Sequence, residues 1–478
     1  MPLELHKINK QKVGSFYFKE LNGQYLLTND IGEHCFLDPL NLDAFLAGKI
    51  EQTCPDKYSE LQTKGFIRDR LDFDGLARRY AQKNTFLGQG PSLHIVVVTL
   101  RCDHRCIYCQ AGSQSLAARD LDMDIATAQK VVDRIFESPN KNITIEFQGG
   151  EPLVNWKTVK FIVEYAYKKN KDAKKDLMIA VVSNFTFINK QIIKFLIKNN
   201  IHICTSLDGP QVLHNKYRIH SGKKNSYKNT VIWLKRLRKE YEQASVSFKP
   251  SALVTITQDS LLYPKEIVDE YVNLDLEGIH LRPLSPFGAP LRIWKKISFT
   301  AGDFVAFYKH SLDYIIELNL KGRNFHERFA TIFLTKILTE RDPDYLDIRS
   351  PCGAGIGQLA YNFNGDVYTC DEGRMLSRWQ DESFRLGNVS DNSYEDIINN
   401  QIVKTMCISS CLDSLPECSE CVYKPYCGVC PLYNYTVNGN IFNKAIFLCR
   451  INKGILDYLF KKLQNEKDRD IFYRWVGS

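Results

Sequence analysis

Fifteen cysteines, unevenly placed, constrain this chain more than any other feature of its 478 residues. Cys35, Cys54 and Cys204 stand alone and read as small buried hydrophobes. Cys102, Cys106 and Cys109 form a tight trio in TLRCDHRCIYCQAG, and six cysteines crowd into residues 407–430. The N-terminus MPLELHKINKQKVG lacks an apolar h-region, so a secretory signal is not expected and the reducing cytoplasm is the expected compartment. Disulfides are poorly supported there, and clustered thiols point to metal ligation instead. Charge adds little: 63 basic against 55 acidic side chains is a mild excess that demands no nucleic-acid partner. No stretch approaches the ~20 apolar residues that span a bilayer.

The rest of the pattern supplies a scaffold. Residues 1–88 read as a small winged-helix-like module: alternating SFYFKELNGQYLLTNDIGEHCFLDP with turns at Asn22-Gly23 and Ile31-Gly32, then short helices in LDAFLAGKI and YSELQTKGFI. Residues 89–290 alternate strand and helix. Strands are expected at LHIVVVTL, NITIEF (142–147), LMIAVVS (177–183), IHICTSL (201–207), VSFKPSALVTI (246–256) and GIHLRPL (278–284). Six such repeats predict a partial (β/α)6 barrel of TIM type, short of the eight that close one. Residues 291–345 read as a helical bridge, 346–455 as a cysteine-rich domain and 456–478 as a helical tail. YNFNGDVYTCDEG predicts a hairpin turning at Asn364-Gly365. Beyond residue 350 periodic helix is expected to fade, and metal would have to replace a core too poor in apolar residues.

The trio follows the first strand of the alternating region, in a loop of the kind that carries active sites in parallel strand–helix folds. Three thiolates without a nearby fourth suit an iron–sulfur cubane with one open iron, whereas closed zinc sites use four ligands. Here the chain resembles the radical S-adenosylmethionine (SAM) superfamily, defined by C-x3-C-x2-C with an aromatic before the last cysteine; Tyr108 supplies it. FQGGEPL (147–153) resembles the family's GGE motif, which implies that Gly149, Gly150 and Glu151 meet the methionyl amino group. VVSNFT (181–186) places Ser183 and Asn184 where relatives bind ribose and carboxylate, and SLDGP brings Asp208. The implied cofactors are a [4Fe-4S] cluster binding S-adenosyl-L-methionine, and S-adenosyl-L-methionine itself.

The later cysteines resemble the SPASM extension, an auxiliary-cluster domain. Cys352 is followed by Gly365-x4-Cys370, then Cys418-x2-Cys421-x5-Cys427-x2-Cys430, and finally Cys449. The last spacing inside the quartet is usually x3. The resemblance implies two auxiliary [4Fe-4S] clusters, one on Cys418, Cys421, Cys427 and Cys449, the other on Cys352, Cys370 and Cys430. The fourth ligand of the second is unassigned: Cys407, Cys411 or an open site. CxxC-x5-CxxC alone would also pass for a zinc ribbon. Asp371 is implicated as a catalytic base by sulfatase-maturing relatives.

SSCLDSLPECSECVYKPYCGVCPLYNY (409–435) and the N-terminal segments are similar to maturases of the His-Xaa-Ser peptide system. The implied function is radical modification of a ribosomally made precursor peptide, with side-chain cross-linking as the product. The implied partners are that peptide, an electron donor such as flavodoxin or ferredoxin, and a second radical SAM maturase. Sulfatase-maturase-like oxidation of Ser or Cys, radical SAM RNA modification, and a non-catalytic zinc-cluster binding protein are the alternatives.

Overall fold

Short β-branched runs bounded by capped helices build most of this protein. A computed structural model of the chain describes residues 8–288 and 290–477. The N-terminal sheet is an antiparallel meander, β1 (Tyr17–Leu21), β2 (Gln24–Thr28) and β3 (His34–Leu37), in the order β1-β2-β3. Its first turn puts both Asn22 and Gly23 at positive φ, 56° and 76°, the conformation that Asn-Gly favours in two-residue hairpins. Leu27, Cys35 and Leu37 face helices Pro39–Leu46 and Pro55–Thr63, forming a core of their own with Phe45, Leu61 and Phe66.

The opposite face of that sheet rests on the C-terminal region. Thr28 Oγ1 donates to the Val422 carbonyl (2.7 Å) and Tyr426 donates to the Gly32 carbonyl (3.0 Å). Phe460 packs edge-on to His34 and Phe36, and Lys19 pairs with Asp457 at 2.5 Å.

The barrel strands are β4 (Leu93–Val97), β5 (Asn142–Gln148), β6 (Asp176–Val182), β7 (His202–Ser206), β8 (Ser251–Ile256) and, after the two-residue β9 (Gly278–Ile279), β10 (Leu281–Pro283). The six strands of the main sheet, β4 to β8 and β10, join through five pairings, all parallel, as the six-repeat pattern predicts. Ile143, Ile145 and Phe147 of β5 are buried under the helices, while Thr144, Glu146 and Gln148 point into the half-open lumen. Helix Ile125–Phe136 is capped by Asp124, which accepts from the Thr127 amide at 2.7 Å.

Two expected strands differ. VSFKPSALVTI forms a strand only from Ser251, because Pro250 lacks the N–H a central strand needs. GIHLRPL splits: β9 leaves the main sheet to pair with β11 (His326–Glu327). The bridge is helical, Ala301–Leu320 and Arg328–Leu338.

The cysteine-rich region is fused to the barrel. β12 (Gln358–Tyr361) lies parallel to β4, and β13 (Asp366–Tyr368) and β14 (Arg385–Asn388) continue outward, giving one nine-stranded sheet in the order β10-β8-β7-β6-β5-β4-β12-β13-β14. The hairpin turns at Gly365 (φ 86°), as expected. The expected loss of helix after residue 350 is wrong. Asp371–Ser377, Gln401–Ser410, Pro431–Asn438, Ile446–Leu463 and Glu466–Gly477 are all helical. The first three hid behind short length and neighbouring cysteines, whereas the last two carry the helical tail expected over 456–478 and extend it back to Ile446. A small apolar cluster of Leu376, Phe384, Met406, Leu432 and Tyr433 also surrounds Cys352 and Cys370. Among the described residues, no helix is long and apolar enough to cross a membrane.

His94 sits in the β4–β12 seam with no solvent exposure. Tyr361 donates to Nδ1 (3.2 Å) and Nε2 donates to the Pro91 carbonyl (3.2 Å), an arrangement only the neutral ring satisfies. Burial lowers its pKa from 6.5 to about 3. Its contribution to stability is therefore complete above about 6.5 and lost as pH falls toward 3. Acid unfolding should steepen by up to ~1.4 kcal/mol per pH unit over that window. His94→Gln, which does not titrate, should flatten that limb in denaturant titrations; an unchanged limb would refute the assignment.

Candidate active site

The loop after β4 folds back on itself. Cys102 N donates to Gln114 O (2.9 Å) and Gln114 N to Leu100 O (2.7 Å). A second anchor comes from residues 217–220: Ile107 N donates to Tyr217 O (2.9 Å) and Arg105 N to Ile219 O (2.7 Å). The three thiols of Cys102, Cys106 and Cys109 are thereby held as neighbours. Burial raises Cys102 and Cys106, the latter to about 12. Desolvated thiols this close resist ionising unless a cation replaces their protons.

Gly149 and Gly150 lie against the same loop. Gly150 N donates to Thr99 O (3.0 Å) and Glu151 N to Arg101 O (2.8 Å). A Cβ on Gly149 would stand 2.5 Å from the Thr99 carbonyl oxygen, and one on Gly150 2.3 Å from that of Arg101. Only glycine permits this approach, and Gly149 adds a φ of 125°. The Glu151 carboxylate turns away from the opening. It accepts from Leu153 N (3.0 Å), Ser183 Oγ (2.8 Å) and Asn184 N (2.7 Å), and burial raises it to about 7. Asn184 Nδ2 in turn donates to Asp103 Oδ1 (2.9 Å) and lies 3.7 Å from Cys102 Sγ. Glu151, Ser183 and Asn184 thus join three strand ends around Cys102.

Tyr108 is oriented from elsewhere. Its hydroxyl donates to Asp208, which also accepts from Arg218 Nε (2.9 Å) and Thr255 N (3.2 Å); the Arg218 guanidinium lies 5.3 Å from the Tyr108 ring centroid. Asp208 anchors the cysteine loop to the fourth and fifth barrel strands. Cys102, Asp103 and His104 also bring ligand atoms within 4.8 Å of one another. Asp103 is already engaged by His104 (2.9 Å) and His220 (3.1 Å), and His104 by Ser226 (3.0 Å), so these two serve as loop anchors.

The remaining thiols fall into separate groups. Cys418, Cys421, Cys427 and Cys449 act on one another, the last delivered by helix Ile446–Leu463. Cys352, Cys370 and Cys430 form a second set. Burial pushes Cys352 and Cys427 up to about 12. Cys407 and Cys411 neighbour each other at the end of helix Gln401–Ser410. A cavity open to solvent lies between these groups and the barrel, with Cys418, Cys427 and Cys430 lining it beside Arg282 and His280.

Residues 96–250 match the family model of the radical SAM superfamily, and residues 352–431 match that of the SPASM iron–sulfur cluster-binding domain. This is a radical SAM/SPASM enzyme. It is related to anaerobic sulfatase-maturating enzymes and peptide maturases. A cysteine-type anaerobic sulfatase-maturating enzyme of Clostridium novyi is 24% identical over 78% of this chain and 98% of its own. The radical SAM cyclopropyl synthase TigE of Paramaledivibacter caminithermalis is 25% identical over 66% of each chain. Among solved structures, anSMEcpe with bound AdoMet superposes with a TM-score of 0.64 at 19% identity, covering 79% of this chain and 100% of that one. Streptococcus suis SuiB bound to precursor peptide SuiA gives 0.53 at 14%, covering 92% and 99%.

The cofactors of this family are a [4Fe-4S] cluster with SAM and auxiliary iron–sulfur clusters, and the residues present fit them. All fifteen cysteines are free thiols despite their crowding, and the glycine pair lets the loop of residues 149–151 close onto the loop that carries Cys102. Two features of the SPASM region escape sequence reading. The buried Asp371 carboxylate accepts from Arg374 Nε (2.6 Å), and Arg374, fully buried, keeps Nη1 and Nη2 without hydrogen-bond partners. Glu372, not Asp371, lines the cavity, and burial raises its pKa. The i,i+3 pairing in DEGR was the available signal. Cys204 lies on the lumen side of β7 within reach of Glu146 and Arg328, while Cys35 is core.

Gly150→Ala should push the Cys102 loop off its strand. Overpacking of this kind costs about 1–3 kcal/mol. The variant should melt several degrees lower and take up less iron on reconstitution than wild type; equal iron content would show that the close approach is dispensable.

Proposed function

We propose that this enzyme modifies a ribosomally made precursor peptide, joining side chains by a cross-link, within a maturation system of the His-Xaa-Ser type. The observation that carries the reading is the shared space: barrel residues such as Arg282 and SPASM cysteines line one cavity on one continuous sheet. A radical formed at the barrel mouth and an electron acceptor in the SPASM domain would meet the same bound substrate. The names of similar proteins point the same way, since SuiB was crystallised with a precursor peptide and TigE is a cyclopropyl synthase.

In this reading Cys102, Cys106 and Cys109 hold the SAM cluster, and Gly149, Gly150, Glu151, Ser183 and Asn184 shape the SAM pocket. Tyr108 is positioned over it by Asp208 and Arg218. When bound, the cluster and SAM supply a 5′-deoxyadenosyl radical for hydrogen abstraction. Cys418, Cys421, Cys427 and Cys449 hold one auxiliary cluster, and Cys352, Cys370 and Cys430 ligate the other. Asp371, paired with Arg374 and set back from the cavity, would have to leave that pair to serve as the base that takes a substrate proton during oxidation. The sheet order β1-β2-β3 leaves outer strand edges to which a substrate leader can add a strand. A flavodoxin or ferredoxin supplies electrons, a second radical SAM maturase acts on the same peptide, and the site of action is the cytoplasm. Oxidation of a single Ser or Cys is the second reading, favoured by Asp371 directly after Cys370 and by the relation to sulfatase-maturating enzymes.

Anaerobic reconstitution should give about twelve irons per chain for three four-iron clusters. With dithionite and SAM the enzyme should form 5′-deoxyadenosine, and Cys102→Ala should abolish it. Co-expression with a candidate His-Xaa-Ser precursor should yield a peptide lighter by two hydrogen atoms, with tandem mass spectra locating a bridge between two residues. A carbonyl on one Ser or Cys would select the second reading; a colourless zinc protein forming no 5′-deoxyadenosine would overturn both.

A further inference from the structure

We infer that Glu372 is the fourth protein ligand of the auxiliary cluster held by Cys352, Cys370 and Cys430. The inference rests on the reading that those three cysteines share one cluster. A cubane has four iron corners, and three thiolates leave one to be filled.

Three observations single out Glu372. It is the second residue of helix Asp371–Ser377, whose N-cap is Cys370, and helical side chains lean toward the helix N-terminus, here toward Cys370. Its carboxylate is a neighbour of all three thiols, Cys352, Cys370 and Cys430. It lines the cavity beside Cys430, with the Arg282 guanidinium as a neighbour in the same lining. The neighbouring Asp371 is not available, being bonded to Arg374 at 2.6 Å.

The competing groups are less well placed. Cys407 has Arg349 as its foremost charged neighbour, and that fully buried guanidinium also faces Cys352. Cys411 lies near Asp413 and acts on Tyr80 of the N-terminal module. Asp347 reaches Cys352 and Cys430, and Arg282 faces both it and Glu372, so D347N is carried as a control. Asp347 and Arg282 remain as neighbours of the ligated site.

The test uses the full chain with Cys102, Cys106 and Cys109 changed to Ala, so that only auxiliary clusters contribute. This parent should bind about eight irons. After reduction, its electron–nuclear double resonance spectrum should show no coupling from added 13C-cyanide. In E372A one iron should become exchangeable: iron content should fall by about one per chain, an oxidised three-iron signal should appear, and 13C coupling should emerge. E372Q, which keeps the side chain's shape, should behave as E372A does and serves where E372A does not fold. E372C should restore full iron and silence the cyanide signal.

Cyanide coupling in the parent itself would overturn the proposal in favour of an open site. The same changes appearing in C407S, C411S or D347N, with E372A and E372Q indistinguishable from the parent, would reassign the ligand. A parent that binds no iron would overturn the cluster reading and the ligand with it, whereas an iron-bearing parent indifferent to E372A and E372Q would overturn the ligand alone.

Discussion

The parallel pairing of Gln358–Tyr361 with Leu93–Val97 holds the whole arrangement in place. One of these strands leads directly into the Cys102 loop; the other lies between Cys352 and Cys370. Backbone ladders tolerate little slippage when both faces are buried, because a one-residue shift turns every side chain over. Ile95 and Val97 pack against Ala360 and Tyr368 in one cluster, while Val96 faces Leu359 and Tyr361 in another, so both faces resist such a shift. The separation between the first cluster site and the auxiliary sites is therefore a property of one sheet and not of a flexible linker. His94, neutral and satisfied at both nitrogens, belongs to the same seam.

Around Cys102 the design is different, since no regular ladder reaches it. Glycines bring the second strand's loop against the carbonyls of the first, and a buried carboxylate then ties the third loop to the second. Two of the three hydrogen bonds that the Glu151 carboxylate accepts come from the end of the next strand. The residue most conspicuous as a ligand candidate is also the brace of the site, so its side chain shapes the pocket through Ser183 and Asn184.

Much of this was legible in the chain itself. Six β-branched runs between capped helices reported the parallel barrel because a strand buried on both faces has a composition that little else shares. The cysteine spacings reported clusters, since thiols so close together have little value as packing. What stayed hidden depended on partners distant in sequence. Nothing local in QLAY announces that it will add to LHIVV, and nothing in DEGR shows that the aspartate will be consumed by the arginine while the glutamate faces the cavity. The strand expected from Val246 stopped at Pro250 because a ring replaced one amide hydrogen. The helical tail from residue 456 was legible, whereas Asp371–Ser377, Gln401–Ser410 and Pro431–Asn438 were missed because each is short and lies among cysteines.

The N-terminal sheet rests on the loop that carries Cys421 and Cys427 and on the helix that carries Cys449, through Thr28, Gly32, Lys19 and Phe460. That contact makes the small module and the metal-bearing loop a single thermodynamic unit. Loading iron stabilises the surface on which the module sits, and whatever binds and orders the module must, by linkage, tighten the hold on iron by the same factor. A chain starved of iron would consequently present a loosened module.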